Sequence, residues 1–101
     1  MHVVIVGAGI AGLTAAIALR HKGIEVTVLE QASALREIGA GIQIAANGTL
    51  VLRELGLEEA VAARGVIPKS YDMRDIDTGR LLYVSPLGEA GIKRWGAPLY
   101  N

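Results

Sequence analysis

The 101-residue sequence has no cysteine. That absence excludes a disulfide framework, a Cys-based zinc site and a thiol nucleophile. Phenylalanine is also absent and aromatics make up only 4%, so aliphatic residues and alanine must build the core. Net charge is missing too, because ten Lys and Arg balance ten Asp and Glu. Such a chain exerts no long-range pull on nucleic acid or an anionic membrane. The only histidines, His2 and His21, open an apolar strand and end a helix, and neither is placed as a catalytic base. There is no Ser-His-Asp set, no pair of catalytic carboxylates and no metal-ligand spacing. What is plentiful is apolar residues, 51% against 20% charged, which argues against disorder. The length suits one domain that buries roughly 65% of its unfolded surface around one modest core. A cytoplasmic address fits this composition.

Val3 to Leu19 carries no charge, and Ala16-Ile17-Ala18 imitates a signal-peptide cleavage site. A secretory signal is the competing reading of this stretch. Against it, nothing cationic but His2 precedes the run, and Gly7, Gly9 and Gly12 interrupt it. The stretch also falls short of the ~20 apolar residues a membrane-spanning helix needs.

Val3-Val4-Ile5-Val6 is an unbroken β-branched run, the pattern of a parallel strand covered on both faces. Gly7 ends it. Ile10 to Lys22 then reads as a helix with Leu13, Ala16 and Ile17 on one apolar side, widened by Ala15, Ala18 and Leu19. Arg20, His21 and Lys22 suit the negative end of the helix dipole, and Gly23 is a C-terminal stop. Val26 to Leu29 is a second strand, so residues 3–30 form a βαβ unit. Asn47 reads as the N-cap of a helix over 49–55 that Gly56 ends, and Glu58 to Arg64 as another short helix. Tyr71–Arg74 and Leu81–Val84 flank a turn-rich Asp75–Gly79 and predict a β-hairpin. Residues 85–101, with Pro86, Gly88, Gly91, Gly96 and Pro98, read as an extended loop. Two parallel strands do not make a stable doubly wound sheet. The expectation is therefore a fragment of something larger, or a sheet paired with another chain.

Gly7-Ala8-Gly9-Ile10-Ala11-Gly12 is GxGxxG where a strand turns into a helix. Gly7 allows the tight turn, Gly9 lets a pyrophosphate approach the backbone, and Gly12 lets helix and strand pack closely. The helix N-terminus supplies N–H groups and partial positive charge to the phosphates. Glu30, eighteen positions after Gly12, ends the second strand and can accept hydrogen bonds from ribose hydroxyls while repelling a 2′-phosphate. Strand, glycines, helix, strand and acid together point to dinucleotide binding. FAD and NAD share an ADP half, so the loop alone does not separate them.

Four stretches carry a resemblance: Gly7–Gly12 with Ala16; Val26–Gln31; Leu35–Gln43 running on to Asn47 and Leu55-Gly56-Leu57; and Trp95–Tyr100. On these the sequence resembles the N-terminal part of class A flavoprotein monooxygenases, nearest to the salicylate and 3-hydroxybenzoate hydroxylase group. Ala46 departs from the Pro often found there. The resemblance implies an α/β fold, with a partial Rossmann-like FAD-binding βαβ unit followed by helices and a β-hairpin of the substrate-domain sheet. It implies residues 1–68 as the N-terminal part of the FAD-binding domain and 69–101 as the start of the substrate domain. It also implies FAD as cofactor, held by Gly7, Gly9, Ala11 and Gly12 near the pyrophosphate, by Glu30 and Gln31 at the adenosine ribose, and by Arg36 along the cofactor. Gly41, Ile42 and Gln43 would run near the flavin ring. By residue type alone, Arg36 also reads as a solvated loop cation and Gln43 as an amide bonded to local backbone. Tyr71 and Tyr83 read as strand packing.

The activity so implied is hydroxylation of a small aromatic acid with O₂ and NADH or NADPH, the flavin carrying the chemistry. Homo-oligomers are a possible assembly, with no nucleic-acid or membrane partner. The family's later His-Arg-x-Asp-Leu, Asp-Gly and Gly-Asp motifs are not in these 101 residues, so the chain alone is expected to be inactive. The alternatives are a stand-alone, non-enzymatic dinucleotide-binding module and an inactive remnant.

Overall fold

The computed structural model describes residues 1–37, 39 and 41–101. Ile38 and Ala40, in the middle of the Leu35–Gln43 stretch, lie outside the described residues. The chain divides into two compact units, Met1–Gly39 and Ala40–Asn101.

The first unit is β1 (His2–Val6), α1 (Ile10–His21) and β2 (Glu25–Leu29). The two strands pair in parallel, from His2 opposite Glu25 to Val6 opposite Leu29. Helix α1 crosses over between them, as parallel pairing requires. It ends as Gly23 predicts. With Gly23 at φ 74°, its N–H donates to the Arg20 carbonyl and the Ile24 N–H to the Leu19 carbonyl, a double closure of the last turn.

Two expectations change here. The β-branched run was expected to be covered on both faces, but burial alternates along both strands. Val3, Ile5, Val26 and Val28 are half-buried, while Val4 and Val6 are 55% and 85% exposed. One helix covers one face, and among the described residues this unit holds no second layer. The covering face of α1 is also narrower than the periodicity implies. It centres on Gly12, Ala16 and Leu19, with Ala16 buried and Leu13 and Ala15 exposed. Small residues at the centre let the helix axis approach the strands.

The second unit is α2 (Ala46–Glu54), α3 (Glu58–Ala62), β3 (Ser70–Arg74), β4 (Leu81–Pro86) and α4 (Gly88–Trp95). The expected N-cap Asn47 lies inside α2, where its Oδ1 accepts from the Gly48 N–H. Ala45 caps the helix instead, its carbonyl accepting from the N–H of Thr49, a fully buried residue. Burying Thr49 fixes the helix two residues earlier than the side-chain preference of Asn suggests. Gly56 (φ 73°) ends α2, its N–H and that of Leu57 donating to the Arg53 and Leu52 carbonyls. Helix α3 ends at Ala62, short of the expected Arg64, and turns on through Gly65.

The hairpin forms as expected, antiparallel, with a bulge that leaves Leu82 unpaired between Leu81 and Tyr83. Residues 85–101 do not form an extended loop. They hold α4, and Tyr100 then bridges back to Ile44. Glycine density suggested a breaker, but Gly91 serves packing. A Cβ there would stand 3.1 Å from the Trp95 ring, which folds back over it. The core of this unit is small, made of Ala46, Thr49, Ala97 and Tyr100. Arg53 ties three segments, pairing with the Glu58 carboxylate through Nε and Nη2 and donating from Nη1 to the Gly96 carbonyl.

Candidate functional site

The parallel pair releases its chain at Val6 and Leu29, and Gly7, Gly9, Ala11, Gly12, Glu30 and Gln31 of the predicted site residues lie at that end. The Gly7 N–H donates to the Leu29 carbonyl at 2.7 Å, the last rung of the ladder. Gly7 has φ 101°, a conformation L side chains rarely adopt. Gly9 is the N-cap of α1, with extended backbone and no side-chain cap. Ala11 and Gly12 lie in the first helical turn, whose N–H groups have no acceptor within the helix.

The three glycines differ in what the protein itself demands of them. A Cβ on Gly12 would overlap the Gly7 carbonyl oxygen and press on Ile5 Cγ2 at 3.3 Å. Glycine is therefore forced at 12 by packing and at 7 by φ. At Gly9 a Cβ meets no protein atom within 4 Å, and φ is −74°. The protein's own fold does not require glycine there.

Glu30 follows β2 and reaches across to the same turn. Its Oε2 accepts from the Ala8 N–H at 2.7 Å and its Oε1 from the Ala32 N–H at 2.9 Å. The Ala32 and Ala8 amides hold its carboxyl below the usual carboxylate range. Gln31 is exposed beside it. Arg36 lies farther along the same unit, exposed on an irregular segment, and Gln43 belongs to the second unit just before Ile44, also exposed. The structure thus brings Gly7, Gly9, Ala11, Gly12, Glu30 and Gln31 to one end of one βαβ unit. Sequence reasoning missed Ala8 and Ala32. Both act through main-chain N–H groups, which leave no trace in residue type.

Unit two has a concavity of about 380 Å³ walled by Ala46, Leu50, Leu87, Trp95 and Leu99, with Asn47 at its edge. Among the described residues no cluster of His, Cys, Asp or Glu could hold a metal ion, and no helix is long and apolar enough to cross a membrane.

Comparison with known proteins bears on the cofactor. Residues 1–86 match the family model described as FAD binding domain. The chain is 41% identical over 100 residues to a 3-amino-4-hydroxybenzoate 2-monooxygenase of Streptomyces cremeus, covering 99% of this chain and 25% of that protein. It is 43% identical over 98 residues to a 3-hydroxybenzoate 6-hydroxylase of Polaromonas naphthalenivorans, covering 97% and 24%. Its backbone is similar to that of Klebsiella pneumoniae HpxO complexed with FAD and uric acid, with a TM-score of 0.84 and 32% identity over 99% of this chain and 25% of that one. The chain spans about a quarter of the length of these relatives. The glycine turn, the strand-end acid and the match over 1–86 agree, and the chain belongs to the FAD-binding domain family shared by aromatic monooxygenases.

Proposed function

We propose that this chain supplies the adenosine-diphosphate half of an FAD site in an enzyme that hydroxylates a small aromatic acid with O₂ and NADH or NADPH. The observation that carries the reading is Gly9, a glycine that the protein's own conformation and packing leave unexplained. A pyrophosphate lying against the backbone explains it, because a Cβ would fill the space the phosphate needs. In this reading the α1 N-terminus and the amides near Gly7, Ala11 and Gly12 face the phosphates, and Glu30 with Gln31 meets the adenosine ribose. Arg36 lies along the cofactor, and Gln43 near its ring end. Bound FAD supplies the redox chemistry that activates O₂. The residues of this chain bind and orient it.

Residues 1–68 then belong to the FAD-binding domain, and 69–101, with its own two-stranded sheet, begins the substrate domain. The substrate class rests on the relatives, whose names specify hydroxylated benzoates. The whole enzyme would be cytoplasmic and homo-oligomeric, and the 101 residues alone would not turn over. The test is NAD(P)H oxidation by an enzyme carrying this chain, with 3-hydroxybenzoate or salicylate as the added aromatic acid. Stimulation with hydroxylated product is expected. A protein that copurifies without flavin and cannot be reconstituted with it would sink the reading.

A further inference from the structure

The ladder between β1 and β2 ends where the Gly7 N–H meets the Leu29 carbonyl. Beyond that rung the two chains part, and the next amide, Ala8, has no strand partner to meet. It meets a side chain: Glu30 Oε2 at 2.7 Å, while the other oxygen of the same carboxylate takes the Ala32 N–H at 2.9 Å. The side chain of Glu30 thus extends the ladder by one rung, between segments 22 positions apart in sequence. The turn it fastens is the one that needs fastening. Gly7 and Gly9 flank Ala8, and glycine backbone left to itself samples the widest range of conformations.

We propose that Glu30 is a positioning residue for the phosphate side of the site, holding the Gly7–Gly9 turn in its receiving shape before any nucleotide arrives. The proposal rests on the reading above, that this turn takes a diphosphate, and goes beyond ribose recognition by the same carboxylate. The two roles are compatible. A carboxylate accepts about four hydrogen bonds, so two amides leave capacity for two adjacent ribose hydroxyls. Fixing the carboxylate and the turn together lowers the ordering cost of binding on both sides of the ribose. Its shifted titration agrees with the geometry, since the amides favour the charged form.

A ligand pair separates the roles. ADP carries the ribose hydroxyls, and 2′,3′-dideoxy-ADP does not. If Glu30 acts only through the ribose, Glu30→Gln weakens ADP and leaves dideoxy-ADP unchanged. If Glu30 also holds the turn, Glu30→Gln weakens dideoxy-ADP as well, by about tenfold, because the amide side chain can accept from only one of the two N–H groups. Isothermal titration of both ligands against the flavin-free enzyme carrying this chain and its Glu30→Gln variant reads the difference. Equal dideoxy-ADP affinity in the two proteins overturns the positioning role and leaves the nucleotide reading standing. Failure of the unsubstituted enzyme to bind either ligand overturns both. Should the variant not fold, amide hydrogen exchange of the unsubstituted, ligand-free protein decides. Slow exchange at Ala8, matching that at Gly7, is expected, and unprotected exchange at Ala8 overturns the proposal.

Discussion

The two strand pairs of this protein each end on a carboxylate that accepts main-chain N–H groups, and they use it differently. In the hairpin, a single oxygen of Asp75 takes the N–H groups of Asp77 and Thr78 and the Thr78 hydroxyl. That acid is spent within its own turn. In the parallel pair, Glu30 binds one amide two residues on and one across the sheet end, with each oxygen engaged once. The hairpin turn is closed upon itself. The parallel end is fastened but still has accepting capacity, beside a helix terminus with free donors. The pairs differ in cover as well. Helix α1 shields one face of β1–β2. Every residue of β3–β4 except Ser85 is exposed, including Tyr71, Met73 and Tyr83 on one face. A two-stranded hairpin of that kind is marginal by itself, and the strand packing expected of Tyr71 and Tyr83 finds no cover among the described residues. Two turns of equal local quality therefore differ in purpose by what they leave unsatisfied.

Substitutions can break this contrast. The largest effect is expected from Gly12→Ala. The new methyl overlaps the Gly7 carbonyl, so α1 must lift from the strands. Such overpacking costs about 1–3 kcal/mol, and chemical denaturation should show the loss together with loss of nucleotide binding. Gly9→Ala should separate the two properties. Its melting curve should shift little, because the Cβ meets no protein atom, while FAD or ADP affinity falls by about tenfold or more. A Gly9→Ala variant that binds as well as the parent would remove the main argument for a phosphate at that position.

In the hairpin, Gly79 has φ 71°. Gly79→Ala should destabilise the turn by about 1–2 kcal/mol, visible as faster amide exchange in β3 and β4, with nucleotide binding unaltered. The smallest effect is on acid titration. The carboxyls of Glu30 and Asp75 both lie below their ordinary values, Glu30 through the Ala32 and Ala8 amides, Asp75 through the Thr78 hydroxyl and amide. A lowered folded value means the stabilisation is complete above the ordinary carboxylate range and is lost as pH falls through the folded value. Protection factors at Ala8 and at Thr78, which divide out the intrinsic pH dependence of exchange, should therefore fall along an acid limb only. Glu30→Gln should abolish that acid limb at Ala8 and spare it at Thr78.

Much of the parallel unit was legible because local signals agree with one another there. The β-branched strand, the Gly7–Gly12 spacing and the Gly23 stop each describe the element observed. The second unit was legible where a single residue decides the matter, as at Gly56, and illegible where glycine is ambiguous. Gly91 reads as a loop glycine in sequence, and Gly48 falls before the expected helix over 49–55. In the structure each sits in a helix at a point where a Cβ would stand 3.1 Å from a neighbour, Ile44 or Trp95. The need for close approach outweighed helix propensity, and that need is set by how a side chain four positions away, Ile44 or Trp95, folds back, which spacing does not reveal. Burial was misjudged for the same class of reason. The Val3–Val6 pattern expresses what the strand can cover, and whether a layer stands on each face is decided elsewhere. At the candidate site the acid was legible from its spacing, but its partners Ala8 and Ala32 were not, since any residue but proline offers the same N–H.

The pairing of Ile44 with Tyr100 also sets an order of events during synthesis. Each donates its N–H to the other's carbonyl, and Val66 and Asn101 do the same beside them. Tyr100 is buried, so the small core of the second unit cannot close before residues more than half the chain apart have both left the ribosome. The βαβ unit draws its pairing from contiguous residues, His2–Leu29, all of which leave the ribosome earlier. The nascent chain therefore exposes the residues of the glycine turn and Glu30 before those that close the second unit.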